Sequence, residues 1–315
     1  MPSHQRTFES RIDYSLLLPV LLLLSIGVTA IYIAVSHDYP NNALQIVGQQ
    51  VAWILLGFLI SFIVMFFNTK FLWIMTPLLY ILGLGLMILP LIFYSESLVA
   101  STGAKNWVAF HGVTLFQPSE FMKISYILML SRVVVKFLQQ NKNYERTLAL
   151  DLFLIVKLAL YTLPVLFLLA LQSDLGTALV FAAIYCGIVL LSGVSWKIIL
   201  PIFLTVSLLF TVFMLIFISD GGRAFLHGLG MPTYQINRIS AWLHPFEYAQ
   251  TITYQQAQGQ IAIGSGGLLG QGFNVSNLLV PVRESDMIFT VIAEDFGFLG
   301  SSLVIVIYLV LIYRM

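Results

Sequence analysis

Apolar residues fall in long runs along this chain, and the polar positions are concentrated in a few short breaks and one long one. Runs of about 18 or more apolar residues, long enough to cross a bilayer as a helix, are read at 14–36, 46–67, 71–94, 117–137, 150–171, 174–192, 196–219 and 287–313. The pattern predicts eight membrane helices in one membrane domain covering 1–315, all-α and polytopic. The first run follows Arg6 and Arg11 but is too long for a signal-peptide core and has no small-residue cleavage pattern after it, so it is read as a retained helix. The long break, 220–286, mixes Gly, Gln, Asn and Ser with apolar patches such as Leu278–Val280. A loop of that length is unusual without a purpose. It is read as partly helical and lying in the membrane interface. No internal repeat of the inverted-repeat transporter kind is evident.

Composition sharpens the class. Hydrophobic residues make up 59% of the 315 and charged ones 9%, against roughly 25% charged in a soluble domain, which excludes a soluble enzyme. With 15 basic and 14 acidic residues and a net charge of +1, nothing points to nucleic acid or to a polybasic membrane-surface protein. The single cysteine, Cys186, excludes an intrachain disulfide and a cysteine-rich metal site.

The distribution of basic residues predicts orientation. With the N-terminus in the cytoplasm, Arg6, Arg11, Lys70, Arg132, Lys136, Lys142, Arg146, Lys197 and Arg314 lie at cytoplasmic ends. Lys105, Arg223, Arg238 and Arg283 lie outside, and Lys123 and Lys157 within spans, as the positive-inside rule favours. The 220–286 segment then faces the cell exterior.

Charges inside a bilayer are costly and mark function by default. Gln117-Pro118-Ser119-Glu120-Phe121-Met122-Lys123 opens the fourth span, with Glu120 and Lys123 on one helical face. Two readings stand: a structural ion pair, or a polar cavity in which Lys123 meets an anionic ligand and Glu120 orients it. Lys157 reads as a snorkelling side chain. Asp174 opens the sixth span either as a helix cap or as a functional acid. Glu294 and Asp295 lie about two turns beyond Asp286 and point about 100° apart, so one of them is expected to pair with a neighbouring helix. Glu120, Lys123, Asp174, Asp286, Glu294 and Asp295 all share the outer half of the membrane or its outer surface under this topology, whereas an ion pathway needs polar groups through its whole thickness.

Other chemistries drop out. Gly264–Gly270 lacks the Lys-Ser/Thr ending of a phosphate loop, and flexible turns or a tightly packed loop account for its glycines. The five histidines have no metal-ligand spacing. No Gly-x-Ser-x-Gly elbow is present, and Asn274-Val275-Ser276 matches a glycosylation triplet of a kind common by chance.

Motifs spread over nearly the whole chain carry a resemblance. These are Gly103-Ala104 with Trp107, then Gln117-Pro118-Ser119-Glu120 with Lys123, then Leu171-Gln172-Ser173-Asp174-Leu175-Gly176-Thr177. After them come Tyr254-Gln255, Ile261–Leu268 with Gly270 and Gly272, Ser285-Asp286-Met287-Ile288-Phe289, and Ile292-Ala293-Glu294-Asp295. In this order they resemble the SEDS family (shape, elongation, division and sporulation), the RodA and FtsW proteins of bacterial cell-wall synthesis.

The resemblance implies a peptidoglycan glycosyltransferase of the bacterial cytoplasmic membrane that polymerises lipid II at the outer face. Its implied partners are a class B penicillin-binding protein and other elongation or division proteins. It places the essential acid on Asp286, the intramembrane pair on Glu120 and Lys123, and a further acid on Asp174. Gln117, Ser119, Lys105 and Arg238 are the remaining candidate substrate contacts. Glycosyl transfer from a lipid pyrophosphate needs a base for the acceptor hydroxyl and positive charge for the departing pyrophosphate. Asp286 fits the first need; Lys123, Arg238 or a divalent cation such as Mg or Mn fits the second.

The chain departs from the family pattern at Val282 (a Glu), Glu284 (a His), Asn106 (a basic residue) and Tyr248–Gln255. The family has ten spans, so eight imply a C-terminally shortened chain. Ile261–Leu268 and Ala293 favour the RodA-like branch. A lipid-precursor flippase and a non-catalytic scaffold for a penicillin-binding protein are the alternatives.

Overall fold

The computed structural model describes residues 13–96, 99, 103–110, 113–142, 147–219, 221–250, 253–273 and 280–315. Arg6, Arg11, Arg146, the Asn274–Ser276 triplet and Leu278–Leu279 lie outside them. The helices are Tyr14–Asp38 (α1), Ala43–Met65 (α2), Thr69–Ile92 (α3), Pro118–Gln140 (α4), Leu148–Leu171 (α5), Leu175–Leu191 (α6), Trp196–Ile218 (α7), Gly222–Gly228 (α8), Thr233–Leu243 (α9), Tyr254–Ser265 (α10) and Ile288–Arg314 (α11).

Every predicted span is a helix, but the eight are not alike. Six (α1, α2, α3, α5, α7 and α11) are long and apolar enough to cross a membrane, while α6 is shorter. Helix α4 is long enough but carries Glu120, Lys123, Arg132 and Lys136. The 220–286 segment is partly helical as expected, through α8, α9 and α10. The all-α expectation holds apart from one small antiparallel hairpin, Val108–Phe110 (β1) with Val113–Phe116 (β2). Its strands are rich in β-branched and aromatic residues, and Gly112 lies between them in sequence.

The chain divides into two compact units, one of residues 1–66 with 216–315 and the other of 67–215. In the second, α4 tolerates its charges because its other face is the core. Met122, Tyr126, Met129, Leu130, Val133 and Phe137 recur at helical spacing and are all buried. They pack on α3, where Gly83 permits close approach: a Cβ there would lie 2.5 Å from Met122 Sδ. Several buried polar groups find partners within the unit. Tyr126 Oη and Thr162 Oγ1 are 2.7 Å apart, Tyr80 Oη donates to Tyr161 O, and Gln172 Nε2 donates to Met87 O at 2.6 Å.

In the first unit α1 packs on α2 and α11, and α11 is broken at Gly297, whose φ of 65° and ψ of −160° interrupt the helix. A break inside a membrane helix frees backbone groups that water cannot reach. Here the glycine-rich segment after α10 takes them up. Gln271 N–H donates to Glu294 O (2.8 Å) and Gly272 N–H to Asp295 O (3.3 Å), while Phe298 and Leu299 N–H donate to Gly267 O (2.9 Å) and Leu268 O (3.2 Å). Such contact requires bare backbone: a Cβ would lie 1.9 Å from Ala293 O at Gly266 and 2.0 Å from Asp295 O at Gly270. Of the two readings of these glycines, the tightly packed loop is the one found.

Candidate functional site

The second unit presents two polar groupings. The first is the start of α4. Pro118 occupies the first turn, where its missing N–H costs nothing, and Glu120 lies where the helix dipole favours a carboxylate. Lys123 Nζ is 2.8 Å from Glu120 Oε2, with Lys123 partly exposed and Glu120 mostly exposed. Ser119 beside them is buried, and its Oγ has no hydrogen-bond partner among the described residues. Gln117 is half-buried, and its side chain makes no capping bond to the helix it precedes.

The second grouping is the corner between α5 and α6. Ser173 adopts a left-handed φ of 58°, and Ser173 and Asp174 N–H return to Ala170 O and Leu169 O, ending α5 in a Schellman turn. Asp174 then caps α6, accepting from Thr177 N–H (3.0 Å) and Thr177 Oγ1 (2.7 Å). It also accepts from Asn106 Nδ2 at 2.8 Å. Asn106, the residue at which the chain departs from the family's basic position, thus holds Asp174 through an uncharged amide donor, and its own Oδ1 is buried without a partner among the described residues. Lys105 N–H donates to Gln172 O at 2.8 Å, and its ammonium lies 4.3 Å from the centre of the Tyr94 ring. Capping therefore describes Asp174, with one adjoining polar atom unsatisfied.

In the first unit, Asp286 is exposed in the turn that precedes α11. Its side chain has no hydrogen bond or ion pair among the described residues. Arg238, on α9, is exposed. A cavity of about 340 Å³ opens beside this turn, lined by Trp242, Gln256, Gln260 and Met287 among others.

Sequence reading missed what anchors the turn. Arg283, read only as an outer basic residue, is buried. It grips the end of α1 through Nε to Asp38 Oδ2 (2.7 Å) and a second nitrogen to Asp38 Oδ1 (2.9 Å). Its Nη1 is 3.9 Å from Glu294 Oε2. One of Glu294 and Asp295 is expected to pair with a neighbouring helix; Glu294 instead has its ion-pair partner in this turn, and Glu294 Oε1 is buried without a hydrogen-bond partner among the described residues. Among the described residues, no three His, Cys, Asp or Glu side chains converge to hold a metal ion.

Residues 14–315 match the family described as "Cell cycle protein", FtsW, RodA and SpoVE. A probable peptidoglycan glycosyltransferase FtsW of Nitrosomonas europaea is 28% identical over 99% of this chain and 76% of its own length. Peptidoglycan glycosyltransferase MrdB of Escherichia coli is 28% identical over 99% of this chain and 77% of its own length. In a solved peptidoglycan synthase complex, whose description concerns the coordination of polymerization and crosslinking, one chain superposes with a TM-score of 0.69 at 23% identity, covering 96% of this chain and 76% of that one.

Proposed function

From the premise that the chain belongs to the FtsW/RodA/SpoVE family, we propose that it is a peptidoglycan glycosyltransferase that polymerises lipid II, with Asp286 as the general base. The observation that carries the reading is the exposed, unpaired Asp286 carboxylate on a turn anchored by a buried arginine. In the proposed step the acceptor sugar hydroxyl gives its proton to Asp286 as its oxygen bonds to the donor's anomeric carbon. The bond from that carbon to the lipid pyrophosphate breaks, and the pyrophosphate leaves with the electron pair.

Positive charge stabilises the leaving group. Arg238 in the first unit and Lys123 in the second are assigned to the substrate's anionic groups, with Glu120 orienting Lys123. Gln117, Ser119, Lys105 and Asp174 are assigned to substrate contact; the unpartnered Ser119 Oγ and Asn106 Oδ1 support a polar ligand in that unit. The described residues do not form a metal cage, so a Mg or Mn requirement is a separate proposal, read out by chelation and add-back.

The protein is placed in the bacterial cytoplasmic membrane with its N-terminus inside, on the distribution of basic residues. A class B penicillin-binding protein is its proposed partner, together with other elongation or division proteins. FtsW and MrdB relatives match at equal identity, and the RodA-like assignment rests on Ile261–Leu268 and Ala293.

The test is labelled lipid II in liposomes containing the protein. Polymer retained on a gel supports the polymerase. Translocation without polymer, tolerant of Asp286→Ala and sensitive to Glu120→Ala, identifies a flippase. Intact growth and partner binding with Asp286→Ala identifies a scaffold.

A further inference from the structure

Three anchors hold the turn that carries Asp286. Gln255 Nε2 donates to Pro281 O at 3.2 Å at its start. At its end Met287 packs on Gly259, where a Cβ would lie 2.3 Å from Met287 Cε. Between them lies Arg283, the one charged anchor, with its side chain 95% buried, forked onto Asp38 and facing Glu294. These partners are 245 and 11 positions away in sequence, so the arginine fixes the turn against two different helices.

The residue before it is strained. Val282 has a φ of 57°, a left-handed conformation costly for a β-branched side chain and kept only where the surroundings enforce it. Val282 O in turn accepts from Ser285 N–H (3.2 Å) and Met287 N–H (3.5 Å), the residues on either side of Asp286. The path from clamp to carboxylate is therefore short: Arg283 directly follows Val282, and Val282 O holds the backbone N–H groups on either side of Asp286.

We propose that Arg283, clamped by Asp38 and Glu294, is a positioning residue that fixes the Asp286 carboxylate for proton abstraction. It does not touch the reacting atoms, and the role rests on the reading of Asp286 as base. A guanidinium fork suits it because two parallel bonds fix orientation as well as distance; a lysine keeps the charge and loses the fork. Misplacement by about 1 Å costs up to about a hundredfold in rate, and it appears in kcat rather than KM because the substrate is still bound.

Initial rates of lipid II polymerisation are measured against lipid II concentration for the protein co-purified with a class B penicillin-binding protein. Wild type, Asp286→Asn, Arg283→Lys, Asp38→Asn and the Arg283→Lys/Asp38→Asn double are compared, with rates expressed per folded molecule from melting curves in the same detergent. Arg283→Lys and Asp38→Asn are each expected to lower kcat about tenfold or more, with KM within about twofold. The double is expected to fall no more than about threefold below the worse single, since both break one clamp.

Wild-type kcat in folded Arg283→Lys and Asp38→Asn beside an inactive Asp286→Asn overturns the proposal. A raised KM at unchanged kcat, or a loss confined to folded yield, overturns it too, the latter leaving the clamp a stability device only. An active Asp286→Asn removes the base and the positioning role together. Absence of polymer from folded wild type removes the polymerase reading itself, and the positioning role with it.

Discussion

The two units each hold an ion pair, and the two pairs behave differently. Glu120–Lys123 lies three residues apart on one helix with its carboxylate mostly in the open. Arg283–Asp38 joins positions 245 apart, with the arginine buried and the aspartate mostly so. A neighbouring pair on a helix surface adds only about 0.2–0.5 kcal/mol, and exposure lets solvent screen it. A buried pair contributes little net energy against its desolvation, yet losing one partner costs about 3–5 kcal/mol because the other charge is stranded. The first pair is free to change partners when a ligand arrives. The second is suited to hold geometry.

Stranding the buried charges should break the comparison most visibly. Arg283→Ala is expected to destabilise the protein by about 3–5 kcal/mol, seen as a large drop in the detergent melting temperature. Asp38→Asn, which leaves a neutral acceptor, should cost less in the same measurement. Gly270→Ala comes next, because its Cβ would collide with Asp295 O; crowding the broken helix is expected to cost about 1–3 kcal/mol and to speed hydrogen exchange at Phe298 and Leu299.

Asp174→Ala removes the cap of α6 and should cost about 0.5–2 kcal/mol; an Asp174→Asn variant that recovers most of this stability would show that the role is capping. Glu120→Gln sharpens the contrast from the other side: a stability change below about 0.5 kcal/mol, with any larger effect confined to substrate KM.

The smallest effect is one of pH at the start of α1. Asp13 is held below its ordinary 3.8 by hydrogen bonds from the Ser15 hydroxyl and backbone N–H. Its stabilisation is complete above that ordinary value and is lost as pH falls through the lower folded value. Asp13→Asn should lower the melting temperature slightly at neutral pH and flatten its decline at the acid end, where the two proteins converge.

What the sequence made legible follows the same division. Runs of apolar residues located every long helix, since a bilayer demands length and apolarity that are visible residue by residue. Glu120, Lys123 and Asp174 were visible because helical spacing and capping are local rules. Arg283 was not, because pairing with Asp38 depends on how α1 and α11 pack. The glycines of 264–272 were legible as turn or packing residues, but that they repair a break at Gly297 needed the backbone of α11. The hairpin of Val108–Phe110 with Val113–Phe116 leaves no mark in the pattern because its strands are only three and four residues long, too short for alternation to register.

The central claim is that the Asp286 carboxylate carries proton abstraction in lipid II polymerisation. Its most direct test is the single-turnover rate of glycan formation by wild type and Asp286→Asn, purified with the penicillin-binding partner and matched for melting temperature. The account predicts polymer from wild type and a loss of about a hundredfold or more for Asp286→Asn, the scale of general base catalysis. Equal rates from the two folded proteins would contradict it.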